Sequence, residues 1–202
     1  MIRIYLTRHG ETEWNLKKIM QGWQDSDLTD LGKEQAKWLS ERLSKIEFEA
    51  VYSSPLNRAL ETAKIIKKDA FEEIIIKDHL KEMGFGPWEG KTSVEIQRDF
   101  KEAYNNFWEK PHLYSGDLCE SYYDVKNRVI PLVKDIIERH DKNVLIVTHT
   151  VVIKIIMAYF DARKMEDLWE PPFMHQTSLN LIEIENNQPK IILHGDTSHY
   201  KE

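Results

Sequence analysis

Arg8-His9-Gly10 follows a short apolar run at residues 2–6 and leads into Glu11, Thr12 and, a few positions on, Asn15. The run predicts a strand that ends on the Arg-His-Gly turn. A histidine at the carboxyl end of a strand is well placed to act, because ligands of open α/β sheets bind outside those ends. A neutral imidazole, with an ordinary pKa of about 6.5, is a competent nucleophile near pH 7 and can attack phosphorus to form a phosphohistidine. Arg8 beside it offers paired hydrogen bonds to a phosphate, and Gly10 lets the backbone pass close to a ligand. Three such residues are a weak sign alone, since most lone histidines are ordinary surface or core residues.

The elements that must position them come from apolar periodicity. Residues 2–7 and 50–53, a third short run at 74–77 and a continuous apolar run at 144–148 predict strands, the last of the buried parallel kind. Thr29 predicts the cap of a helix to about residue 44, with Leu31, Ala36, Leu39 and Leu43 on one face. Ser54-Pro55 predicts a second helix start, with serine as cap and proline at the first helical position, running to about residue 68. Residues 79–118 are irregular and aromatic-rich, with one or two helices around 93–108. Tyr122, Val125, Val129, Leu132, Val133 and Ile136 follow helical spacing, with Pro131 set to kink the helix or interrupt one hydrogen bond. A helix follows from about residue 151, and residues 178–185 and 190–194 read as an edge hairpin around Asn186-Asn187.

This alternation predicts an α/β domain with a largely parallel sheet. Arg8 and His9 then close the first strand, Arg58 lies in the first turn of the helix leaving the second, and His149 closes the strand at 144–148. In a parallel sheet all of these fall on one edge. With helix N-termini nearby, they frame a cavity suited to a phosphoryl group.

The order of motifs is distinctive. Arg8-His9-Gly10 and Asn15 are followed by Gln21-Gly22-Trp23, Asp27-Leu28-Thr29, Gly32 and Ala36, then Ser53-Ser54-Pro55-Leu56-Asn57-Arg58-Ala59 and Glu61-Thr62-Ala63. Glu82, Gly86-Pro87-Trp88-Glu89-Gly90 and Val147-Thr148-His149 complete the set. In this order and spacing they resemble the histidine phosphatase superfamily, the branch that contains the cofactor-dependent phosphoglycerate mutases, over residues 2 to about 193. The resemblance implies a three-layer α/β sandwich: a mostly parallel central sheet, helices on both faces and a small helical and loop cap over the site. It implies a single domain over residues 1–202, with the cap inserted at about 79–118. It implies His9 as nucleophile, Arg8, Arg58 and His149 as phosphate ligands, His149 acting as imidazolium or hydrogen-bond donor, and Glu82 as general acid. Substrate charge is expected to keep Glu82 protonated. Asn15, Gln21, Gly22 and Thr150 are expected to line the phosphate and substrate pocket, and Glu89 to support its own turn.

Three positions depart from the family pattern. Thr150 follows His149 where many relatives carry glycine, Cys119 stands in the glycine place of a Gly-Glu-Ser segment, and Phe85 fills a place where phosphoserine phosphatases of this type carry a histidine. An apolar ring there gives little help to a substrate carboxylate. The aromatic content between Met83 and Asp117 predicts a partly apolar pocket that sets substrate choice.

Bulk properties narrow the field. A net charge of −6 argues against broad nucleic-acid binding. One cysteine excludes an internal disulfide and suits a reducing compartment. No His-Glu-x-x-His spacing occurs, so no metal and no cofactor are expected. No apolar run approaches the roughly 20 residues that span a bilayer, and the chain enters its first strand without a leader, so no membrane partner and a cytoplasmic setting are expected. The expected reaction is hydrolysis of a small phosphorylated metabolite: a sugar phosphate, phosphoserine, α-ribazole phosphate, or several of these. A mutase is the competing reading, disfavoured by the short stretch after His199. A catalytically silent phosphate-binding protein is another, disfavoured because His9, Arg8, Arg58, Glu82 and His149 are all present. An edge hairpin at 178–194 is one place where two subunits could pair.

Overall fold

The computed structural model describes residues 1–68, 73–115 and 118–201. One six-stranded sheet organises the chain, in the order β3-β2-β4-β1-β5-β6. Its strands are β1 (Ile2–Arg8), β2 (Ala50–Ser53), β3 (Ile74–Ile76), β4 (Asn143–Thr148), β5 (Leu179–Glu185) and β6 (Gln188–Asp196). The pairs β1/β4, β2/β4 and β2/β3 are parallel, whereas β5 runs antiparallel to β1 and to β6. Thus the expected mostly parallel sheet is present, with the hairpin β5–β6 on one edge. Asn186 and Asn187 both have positive φ at its turn, a conformation asparagine tolerates better than most residues.

Alternation along the central strands feeds two cores. Tyr5, Leu145 and Val147 face α2 (Asp30–Arg42) and α3 (Asn57–Lys67), packing with Leu39, Ala59, Ala63 and Ile66. Ile4, Leu6, Val144 and Ile146 face the other way, toward α6 (Tyr122–Arg139) and α7 (Thr150–Phe160). Both faces of the sheet are covered, so its central strands are apolar on both sides.

Two helix expectations need correction, and the one for Pro131 stands in its milder form. Leu31 is exposed, and α2 buries Gly32, Gln35, Ala36, Leu39 and Ser40 instead. α3 begins at Asn57 behind an N-cap, Leu56, that has no side-chain cap bond, so Ser54 and Pro55 precede the helix. α6 runs without a break through Pro131; the proline removes one donor and does not divide the helix.

The aromatic segment holds α4 (Ser93–Asp99) and α5 (Lys101–Glu109). Its rings pack mainly on one another. Phe107 lies 5.3 to 5.7 Å, centroid to centroid, from Phe85, Trp88, Tyr114, Tyr122 and Trp169. Phe107 and Tyr114 are buried and walled in by other rings. They form a core, which corrects the expectation that these two rings line a substrate pocket.

Candidate active site

The carboxyl ends of β1, β2 and β4 converge as their parallel register requires. Arg8 pairs with Thr148 and Ser53 with Val147, and His9 N donates to Thr148 O at 3.0 Å. His9 and His149 therefore emerge side by side, with ring centroids 5.2 Å apart. Gly10 permits a close crossing: a Cβ there would lie 2.4 Å from Gly32 O. Gly10 N donates to Thr62 Oγ1, which in turn donates to Arg58 O at 2.7 Å, tying the turn after β1 to α3.

His9 is 3% exposed, and its Nδ1 lies 2.7 Å from Gly10 O. A carbonyl can only accept, so Nδ1 carries the proton and Nε2 keeps its lone pair. Burial, reinforced by the charges of Arg58 and Arg8, holds the imidazole pKa well below its ordinary value. His9 is thus a neutral base at physiological pH.

Arg58 is 1% exposed and is bound from the loop after α1 (Glu13–Leu16). Nη1 donates to Gln24 O and Asp25 Oδ1 at 2.8 and 3.0 Å, and Nη2 to Gly22 O at 2.8 Å. Arg8 Nη1 donates to Met174 O at 2.9 Å. In both arginines Nε is buried and has no protein partner. Buried polar groups are nearly always paired, so two orphan donors at one sheet edge mark a place for an anion. Burial lowers the Arg8 pKa to about 10, which leaves it cationic at neutral pH.

His149 is fully buried. Its Nε2 lies 2.8 Å from Ser54 Oγ, and its Nδ1 is buried without a partner. Burial, then the charge of Arg58 and the neighbouring His9, push its pKa well below the usual histidine value. Without a bound anion the ring is therefore neutral, and hydrogen-bond donation is the expected role that needs no proton uptake.

Glu82 is 8% exposed and sits beyond β3 (Ile74–Ile76). Its Oε1 accepts from Met83 N at 2.9 Å and its Oε2 from Val151 N at 3.4 Å. Burial raises its pKa, against the lowering effects of Met83 N, Arg58 and Arg8. The raising agent is burial, present before any substrate charge arrives.

The other expected pocket residues are placed as follows. Asn15 Oδ1 accepts from Thr12 N and the Asn15 amide donates to Thr12 Oγ1, a capping box for α1. Gln21 Nε2 donates to that same Thr12 oxygen at 2.9 Å. Gly22 presents its carbonyl to Arg58, and at its φ of 56° a Cβ would strike the Glu89 carboxylate. Thr150 is the first residue of α7. Cys119 Sγ donates to Phe85 O at 3.1 Å.

Sequence reasoning missed the residues that hold these groups in place. Glu89 does more than support its turn. Its Oε1 accepts from Trp23 N and Phe85 N, and its Oε2 from Gln24 N, so one carboxylate joins the loop that grips Arg58 to the loop that carries Glu82. Trp23 Nε1 donates to Glu82 O at 2.8 Å. Arg128 on α6 donates to Glu82 O at 3.0 Å and pairs with Glu120, which accepts from Gly84 N. Asp25 had a usable sign, an aspartate between the glycine loop and α2; Arg128 lies 46 residues from its contact and had none. A cavity of about 700 Å³ opens at the other end of the sheet, lined by Leu43, Phe48, Ile66 and Lys67 among others, and none of the expected site residues lines it.

Residues 4–197 match the family model of the histidine phosphatase superfamily, branch 1. The chain belongs to that superfamily. Among solved structures, this histidine phosphatase superposes on Bacillus stearothermophilus YhfR with a TM-score of 0.96 and 43% identity, over 98% of this chain and 99% of that one. A phosphoserine phosphatase variant from Entamoeba histolytica, solved with phosphoserine, gives a TM-score of 0.86 at 28% identity over 98% and 99% of the two chains. Phosphoserine phosphatase 1 of Hydrogenobacter thermophilus is 31% identical over 100% of this chain and 96% of its own length. No helix among the described residues is long and apolar enough to cross a membrane.

Proposed function

We propose that this protein is a metal-independent phosphatase that hydrolyses small phosphate monoesters through a phosphohistidine on His9. The observation that carries this reading is the buried, partnerless Nε of Arg8 and of Arg58 beside a neutral His9 whose Nε2 is left as a lone pair. The relatives and neighbours named as phosphoserine phosphatases support hydrolysis.

The residues serve the two steps as follows. Phosphate oxygens accept from Arg8, Arg58 and His149, which offsets the charge that would repel a nucleophile. His9 Nε2 bonds to phosphorus as the ester P–O bond breaks. Burial raises the Glu82 pKa, and in its protonated form Glu82 gives its proton to the leaving oxygen. In the second step the Glu82 carboxylate takes a proton from water, the water oxygen bonds to phosphorus, and the P–N bond breaks. His9 and protonated Glu82 are restored with release of phosphate. The charge that accumulates on phosphate is met by guanidinium groups, so the scheme needs no metal ion.

The test is phosphate release from p-nitrophenyl phosphate, phosphoserine, 3-phosphoglycerate and α-ribazole phosphate with EDTA present, beside an assay for 2-phosphoglycerate. Release of phosphate undiminished by EDTA is expected. Interconversion of phosphoglycerates with little free phosphate would replace the phosphatase by a mutase.

A further inference from the structure

We infer that Ser54 is a positioning residue that fixes the tautomer of His149, so that His149 presents Nδ1–H to the phosphate. The inference deepens the function proposed above and rests on it. It comes from a proton inventory around one hydroxyl.

Ser54 is fully buried at the end of β2. Its amide donates to Val147 O, and its carbonyl accepts from Ser53 Oγ. Its Oγ accepts from Leu56 N at 3.3 Å and lies 2.8 Å from His149 Nε2. A hydroxyl has one proton to give, and the imidazole nitrogen is the one acceptor found for it among the described residues. With the proton pointing to Nε2, each polar group of Ser54 is satisfied. The neutral ring then carries its own proton on Nδ1, the buried nitrogen without a protein partner.

The opposite assignment is worse at both ends. Were Nε2–H to donate to Ser54, the serine proton would be buried without an acceptor, a cost of about 1–3 kcal/mol. His149 Nδ1 would also turn a lone pair toward a phosphate whose oxygens are acceptors. The first amides of α3, those of Asn57 and Arg58, donate to the Asp25 carboxylate, so the helix start does not call on the Ser54 oxygen. The Ser54 hydroxyl accepts from Leu56, ahead of the helix, while its proton is committed to His149. One serine thus couples the turn before the Arg58 helix to the ring at the end of β4.

The test joins spectroscopy to a double-mutant cycle. Long-range ¹H–¹⁵N spectra of the imidazoles, with His149 assigned by its loss in His149→Ala, should show Nδ1 protonated and Nε2 bare. In Ser54→Ala that pattern should change to the other tautomer or to a mixture. With p-nitrophenyl phosphate and EDTA, Ser54→Ala should lower kcat about 10- to 100-fold, as expected for loss of a group that orients a functional histidine. In the His149→Ala background the same substitution should change kcat less than about twofold, because residues that act as a unit are not additive. Circular dichroism confirms that each variant is folded. A protonated Nε2 in the wild type, or equal losses in both backgrounds, overturns the inference. A His149→Ala protein that turns over at the wild-type rate would instead defeat the catalytic reading, and the spectra would still decide the tautomer.

Discussion

The carboxyl edge of the sheet and the aromatic segment are both buried, yet they are buried in opposite ways. At the sheet edge, His9, Arg58, Glu82 and His149 are taken out of water beside the half-buried Arg8, and one nitrogen each of Arg8, Arg58 and His149 finds no protein partner. In the aromatic segment, Phe107 is surrounded by rings on several sides, and its carbonyl accepts from both Tyr122 Oη and Trp169 Nε1. The first region leaves buried guanidinium N–H groups unmet by the protein, whereas the Phe107 carbonyl is met twice from within it. Burial alone therefore does not locate a site. Unmet donors on two guanidinium groups gathered at one strand edge are the sharper sign, because the desolvation of a polar group is offset when a ligand supplies the bond.

This contrast can be broken at either region. The largest effect is expected at His9. His9→Ala should reduce kcat by about 10⁴-fold or more, as for removal of a covalent nucleophile, while thermal stability stays at or above that of the wild type. The ring's Nδ1 bonds only to the carbonyl of the next residue, Gly10, so little of the fold depends on it. A Tm drop as large as that of Phe107→Ala, a variant of the aromatic core, would show that the edge is structural after all.

Next comes Glu82→Gln, which sharpens the chemistry of the same edge. Loss of a general acid costs about 10²–10⁴-fold, and the loss in the first step should be larger for an alkyl phosphate than for p-nitrophenyl phosphate, whose leaving group needs no proton. The pH profile supplies the sign. Turnover requires His9 neutral and Glu82 protonated. The acid limb contributed by His9 therefore lies below its ordinary range, and the alkaline limb contributed by Glu82 lies above the ordinary carboxylate range. Glu82→Gln should remove that alkaline limb. Equal losses on both substrates with the limb retained would assign the acid elsewhere.

Phe107→Ala is the counterpart in the aromatic segment. It should cost about 3–5 kcal/mol of stability, by loss of transfer free energy and an unfilled cavity, as read from denaturant unfolding. The kcat of the protein that remains folded should fall only a few-fold. A selective loss of activity with unchanged stability would return these rings to the substrate pocket.

Much of the sheet and half of the site were legible because they rest on local patterns. Alternation in β1 and β4 marks strands whatever their neighbours, and parallel strands carry Arg8, His9 and His149 to one edge without further information. The Asn186-Asn187 turn is equally local. What was not legible depends on contacts far apart in sequence. Ser54 has the composition of a helix cap, yet Asp25 meets the first amides of α3 and the serine hydroxyl lies against a histidine 95 residues away. Glu89 looks like a turn residue until Trp23, Gln24 and Phe85 present their amides to it. The aromatic residues of the segment carry no sign of whether they face each other or a ligand, because one apolar composition serves both. The neutrality of His149 likewise follows from the depth of its burial beside Arg58, which no local pattern encodes.

The most direct test of the central claim is a rapid-quench experiment with ³²P-labelled p-nitrophenyl phosphate in the presence of EDTA. The account predicts up to one phosphoryl group per protein, stable in alkali and labile in acid as a phosphohistidine is, in the peptide that contains His9 and absent from His9→Ala. Steady turnover without any protein-bound label in wild type and Glu82→Gln alike, or label on a residue other than His9, would contradict it.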